Sequence, residues 1–270
     1  TSVPTGAFMS FAGTVTFEGT FTKVTTIGFS AFGAINKVIF TASLPAVTTI
    51  GADAFFGIVD QESRVTFDNM NELTAFPNNL FGSDPAGTFI NAFPGTVTVT
   101  GVFTTLASID EYAFACVRLL QFGGTFPALT TINKGAFANV ATVHQQNQDS
   151  VIDLTNAGVQ TVGEGAFVAF AGTVTFLGNN LRVIEEDAFM AVRKIVFTGA
   201  FGAVETFGQL AFAQTCDLDT LRRRRDDVVT PAHCDDGFDP ESSVHISTTV
   251  NNAALTSVPT GAFMSFAGTV

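Results

Sequence analysis

A nine-residue phrase, Φ-x-x-Φ-x-x-x-Ala-Phe with Φ aliphatic or Phe, returns along the chain and limits it to one kind of architecture. Its closing residue is Phe8, Phe32, Phe55, Phe81, Phe114, Phe137, Phe167, Phe189, Phe212 and Phe263. A Val, Ile or Phe stands five residues before each, and Ala precedes every one except Phe81, where Leu80 takes its place. Fixed spacing inside the phrase with variable spacing between phrases is the mark of a repeat array, in which each unit packs on its neighbours.

Between phrases lie short runs with alternating apolar residues, such as Val15/Phe17, Val38/Phe40, Val65/Phe67, Val97/Val99, Ile152/Leu154, Val174/Phe176 and Ile195/Phe197. Alternation over three or four residues predicts a short strand with two side chains turned inward. The Phe-to-Phe intervals are 24, 23, 26, 33, 23, 30, 22, 23 and 51 residues, and Gly237-Phe238 divides the last into 26 and 25. The expectation is a repeat solenoid: a parallel β-solenoid with one short strand and an Ala-Phe bend or helical turn per coil of about 25 residues. Residues 1–270 read as one continuous solenoid of about ten coils.

Thirty Phe, one Tyr and no Trp show that one aromatic has been chosen for one repeated packing task. Phe brings a large buried area with no polar tip to satisfy. Charged residues are only 13% of the chain, so Thr, Ser, Ala and Gly must cover much of the surface. A net charge of −12 disfavours nucleic acid, whose phosphates require clustered Lys and Arg. No apolar run approaches the ~20 residues of a membrane-spanning helix. The chain opens at Thr1 without Met or a signal peptide, which reads as a mature or excised segment.

Thr-Thr-Ile50-Gly-Ala-Asp-Ala54-Phe55 and Val162-Gly-Glu-Gly-Ala166-Phe167 resemble the BspA-like family of leucine-rich repeats, whose units read approximately L-x-x-I-G-x-x-A-F-x-x-C/N. The resemblance covers nearly the whole chain, which departs from the pattern in using Phe where Leu or Ile is common. It implies a leucine-rich-repeat solenoid and a location outside the cell or at its surface. It also implies adhesion, the role for which that family is chiefly known.

A second, longer repeat is superimposed on the first. Residues 256–270 are identical to residues 1–15, an offset of 255 residues that matches ten coils. Individual coils differ freely, so this identity points to a duplicated 255-residue block and a window from a tandem array. The short period breaks at residues 82–96, at residues 141–150 and at residues 216–241. The first two read as loops leaving the solenoid. The third reads as a degenerate coil with an inserted loop, because Thr230 and His233 stand where its Φ-x-x-Φ pair belongs.

That third break carries the candidate chemistry. Arg222, Arg223, Arg224 and Arg225 resemble a processing site for a secretory endoprotease. The alternative is a solvated loop neutralised by Asp217, Asp219, Asp226 and Asp227. Cys216 and Cys234 flank the run and read either as a disulfide closing the insert or as two free thiols. Cys116 reads as a small buried hydrophobe. Cys216, His233 and Cys234 lack the paired spacing of a zinc site. The acidic group Asp235, Asp236, Asp239 and Glu241 lacks the calcium-loop pattern, and Gly123-Gly124 lacks the Lys-Ser/Thr of a phosphate loop.

No cofactor-binding or catalytic constellation emerges, so no enzyme is expected. The leading expectation is a structural protein: an extracellular fibre, filament or surface coat of tandem blocks, partnered by copies of itself. The alternative is a surface adhesin or ligand-binding repeat module that contacts other surface proteins.

Overall fold

The structure, a computed structural model, describes residues 1–82, 92–140, 150–198, 203–213, 258–259 and 261–262. The alternating runs form an eight-stranded parallel sheet. Numbered along the chain, its members are β2 (Thr14–Phe17), β4 (Lys37–Phe40), β6 (Arg64–Asp68), β8 (Thr96–Thr100), β10 (Leu119–Phe122), β12 (Val151–Leu154), β14 (Thr173–Leu177) and β16 (Lys194–Thr198), stacked in chain order. This is the expected parallel β-solenoid.

Each coil carries more than the one strand expected. The second Φ of each of the nine phrases from Phe8 to Phe212 lies in a two-residue strand: β1 (Ser2–Val3), β3 (Thr26–Ile27), β5 (Thr49–Ile50), β7 (Ala75–Phe76), β9 (Ser108–Ile109), β11 (Thr131–Ile132), β13 (Thr161–Val162), β15 (Val183–Ile184) and β17 (Thr206–Phe207). These pair in parallel as two further ladders, β1 to β5 and β7 to β17. Two residues make no periodic signal in a sequence, and only the neighbouring coils turn them into a strand.

The Ala-Phe segment is a bend and not a helix; among the described residues the one helical segment is a 3-10 turn at Gly178–Asn180. Its backbone is strained in a regular way. The residue two before each Phe has positive φ, whether it is glycine (Gly6, Gly135, Gly165, Gly261) or not (Ser30, Asp53, Asn79, Tyr112, Asp187, Leu210). Ser10, Ala34, Gly57, Cys116, Asn139, Ala169 and Ala191, each two residues after a Phe, also have positive φ. Such a conformation costs a side-chain-bearing residue about 1–2 kcal/mol. Here it aims backbone N–H groups at the next coil. Phe8, Phe32, Phe114, Phe137, Phe167 and Phe189 donate to the carbonyls of Ala31, Ala54, Ala136, Ala166, Ala188 and Ala211, all at 2.7–2.8 Å. Ala suits this position because it is fully buried where turns stack.

Inside the coils the Phe residues form a spine. Phe8, Phe32 and Phe55 stack at 5.2 Å steps; Phe81 and Phe114 follow at 5.7 and 5.9 Å. Phe137, Phe167, Phe189 and Phe212 continue at 5.4, 5.0, 5.2 and 5.2 Å. Strand residues meet this column edge-on, as Phe40 does Phe55 at 76° and Phe176 does Phe189 at 89°. Edge-to-face and offset stacking are the favoured aromatic geometries. Phe263 lies outside the described residues.

Candidate functional site

The long sheet is not a uniform ladder. Val15 pairs with Val38 and Phe17 with Phe40, but Phe40 then pairs with Val65, two residues earlier than the pattern requires. Phe122 likewise pairs with Ile152, where Leu154 would continue the alternation. Each slip would leave an N–H without a backbone acceptor inside the protein. Ser63 and Ser150, both fully buried, supply it: their hydroxyl oxygens accept from Val38 N–H at 3.2 Å and from Leu120 N–H at 3.1 Å. Among the described residues they are, with Ser30, the buried polar side chains.

At the first slip the sheet opens into a shallow cleft of about 460 Å³, whose lining includes Lys37, Ile39, Glu62, Ser63, Arg64 and Arg118. Three cations meet there in a chain with twelve Lys and Arg in all. Lys37 pairs with Glu62, which holds its ammonium pKa above the ordinary value. The Arg118 guanidinium donates from Nε to the Pro94 carbonyl. The cluster can hold an anionic group by charge, and it contains no nucleophile activated by a base. Sequence reasoning passed over these residues, although a signal existed: each cation stands one or two positions before the first inward residue of its strand, Val38, Val65 or Leu120.

The outward column of Thr16, Ile39, Thr66, Thr98, Gln121, Asp153 and Thr175 is cut by the same slips. Thr66 pairs with Thr98 and Asp153 with Thr175, while Ile39 faces Arg64 and Gln121 faces Val151. No continuous threonine stripe results. Cys116 is buried, and burial pushes its thiol pKa up to about 12, so it is an inert core residue. No group of three or more His, Cys, Asp and Glu is placed to hold a metal ion among the described residues. Among them, too, no helix is long and apolar enough to cross a membrane. Arg222, Arg223, Arg224, Arg225, Cys216 and Cys234 lie outside the described residues, as do most of the three breaks in the period.

The family model for the BspA-type leucine-rich repeat region matches residues 1–144 and 107–226, with six copies. The chain belongs to the BspA-type leucine-rich repeat family. The two-strand coils, the laddered Ala-Phe turns and the Phe spine are therefore the form that a BspA-type repeat takes in this chain. No curated protein and no solved structure matches it. The family suggests a surface-type, adhesin-like repeat protein, and leucine-rich-repeat solenoids of this kind are typically not enzymes.

Proposed function

We propose that this BspA-type chain is a structural protein that builds an extracellular fibre, filament or surface coat from 255-residue solenoid blocks. The observation that carries the reading is the fifteen-residue identity of residues 256–270 with residues 1–15. Its low charge favours close contact between copies, since few ions must be desolvated. Electron microscopy of the purified protein at rising concentration tests it: fibres or sheets are expected, and dispersed single particles throughout would refute it.

A second reading, a surface adhesin, draws on the family and on the cluster of Lys37, Arg64 and Arg118. It would place an anionic ligand in that cleft. Binding of sulfated or carboxylated glycans that is lost in Arg64→Ala would favour it over a purely structural role.

A further inference from the structure

With each coil named by its spine residue, the Phe55 and Phe81 coils are joined differently from their neighbours. Elsewhere the residue after the second Φ donates its N–H to the second Φ of the preceding coil: Gly28 to Val3, Gly51 to Ile27, Asp110 to Phe76 and Asn133 to Ile109, at 2.8–2.9 Å. In the Phe81 coil that residue is Pro77, which has no N–H. The short strands part at the same place: β5 ends one ladder, β7 begins the next, and the two do not pair.

The bend loosens beside it. In the Phe32 coil three N–H groups reach forward, from Ser30 to the Ala52 carbonyl at 3.1 Å, from Phe32 to Ala54 at 2.8 Å and from Ala34 to Phe56 at 2.7 Å. The Phe55 coil keeps only the middle bond, from Phe55 to the Leu80 carbonyl at 3.0 Å. Leu80 is fully buried at the place where the other phrases have Ala. The spine stretches accordingly: Phe81 lies 5.7 Å from Phe55 and 5.9 Å from Phe114, with ring planes 25° and 40° apart. The other steps are 5.0–5.4 Å and 2–17°.

Followed back around the coil, the same weakness meets the first slip of the long sheet. There β4 holds β6 by two residue pairs, Ile39 with Arg64 and Phe40 with Val65, whereas β6 and β8 pair along five. Between residues 41–48 and residues 69–74 one hydrogen bond is made, from the Thr74 hydroxyl to the Thr48 carbonyl at 3.5 Å. What otherwise crosses is chiefly ring packing, Phe40 and Phe55 on Phe67 at 6.1 and 5.9 Å, which is non-directional and lets surfaces slide. The second slip lacks this company: β11 pairs with β13, and Phe137 stacks on Phe167 at 5.0 Å.

We propose that this seam is a joint: the chain up to Phe55 and the coils from β6 to β17 are two stiff blocks that swing apart on the short-strand side, about the two-pair contact of β4 with β6. A stack stitched on every face resists bending, and one unstitched along a single face opens there first. Pro77 makes the opening by withholding a donor. The Ser63 hydroxyl, accepting from Val38 N–H at 3.2 Å, holds the opposite edge closed. The joint operates within a single chain and does not depend on assembly.

Hydrogen exchange at single-residue resolution on the full 270-residue chain, well below its unfolding transition, tests the joint. After correction for intrinsic rates, Phe55 N–H, bonded across the seam, is expected to exchange at least about ten-fold faster than Phe32 and Phe137 N–H, which make the same bond within a block. Asp110 N–H, bonded to the Phe76 carbonyl at 2.9 Å on the same face of the second block, should stay as slow as Phe137. Pro77→Ala restores the donor at a position where Asp110 and Asn133 show that a side chain fits, and should bring Phe55 to within about three-fold of Phe32. Equal protection of Phe55 and Phe32 in the parent chain overturns the proposal. So does faster exchange at Phe32 than at Phe55, the order for a chain that frays from its start. A folded Pro77→Ala protein, judged by its thermal transition, in which Phe55 exchanges as before overturns it too.

Discussion

Phe137→Ala should be among the most costly single changes in this chain, because Phe137 is fully buried at the middle of the spine. Its ring stacks on Phe114 at 5.4 Å and on Phe167 at 5.0 Å, and meets Phe122 edge-on at 5.4 Å and 82°. Truncating a buried Phe to Ala costs about 3–5 kcal/mol in lost transfer energy and cavity formation. Each of the three ring pairs adds about 0.5–1.5 kcal/mol beyond its area. Contributions from touching groups overlap, so about 5 kcal/mol is expected. The comparison is Phe8→Ala: Phe8 is half-buried with one stacked partner, Phe32, and should cost about 1–2 kcal/mol. Because coils are coupled mainly to their neighbours, a loss of this size in the middle should also split the unfolding transition into two. Urea unfolding followed by far-ultraviolet circular dichroism reads the whole solenoid. The fluorescence of Tyr112, the chain's single tyrosine, reads the neighbouring turn, where the Tyr112 N–H bonds the Lys134 carbonyl. Equal costs for the two variants, with one sharp transition in each, would refute the idea of a continuous aromatic spine.

Other substitutions probe other parts of the coil. Ser63→Ala and Ser150→Ala should each cost about 1–3 kcal/mol, the penalty for leaving the Val38 or Leu120 N–H buried without an acceptor; a loss within error of zero in denaturant titration would mean that the slips need no hydroxyl. Ala34→Gly should stabilise the protein by about 0.5–1 kcal/mol, since relief of a φ of 52° outweighs the added freedom of the unfolded chain; a lower midpoint in the same titration would count against the strain argument. Asp53 and Asp187 have carboxyl pKa values raised chiefly by burial. Between the ordinary and the raised value the folded state binds more protons, so these groups penalise folding above the raised pKa and cease to as pH falls through it. Asp53→Asn, placing at φ 55° the residue type that Asn79 already contributes at φ 52°, should therefore stabilise the protein at neutral pH. The advantage should shrink on acidification, and a difference that is flat in thermal melts across pH 3–7 would contradict the assignment.

Much of the architecture was legible in the phrase itself. The period of about 25 residues, the inward Phe at each turn and the alternation of Val38/Phe40 or Val174/Phe176 follow from side-chain chemistry that acts within one coil, so spacing alone reveals them. The second strand of each coil was not legible. Thr26–Ile27 is too short to show alternation, and it becomes a strand only because Ser2–Val3 and Thr49–Ile50 lie on either side. The left-handed turns were hidden too, since nothing about Leu210 or Tyr112 favours positive φ. The cleft was half visible, as cations recur before the inward residues, but only the slipped register gathers Lys37, Arg64 and Arg118.

The sequence by itself determined that this chain stacks coils on an aromatic column and that one stretch of it occurs twice. How the coils register on one another was decided by tertiary structure alone. Phe17 pairs with Phe40, yet Phe40 pairs with Val65 and not with Phe67, a slip of two residues that nothing inside either strand dictates. In a solenoid, burial belongs to the contact between coils, and a sequence records only what each coil offers to its neighbours.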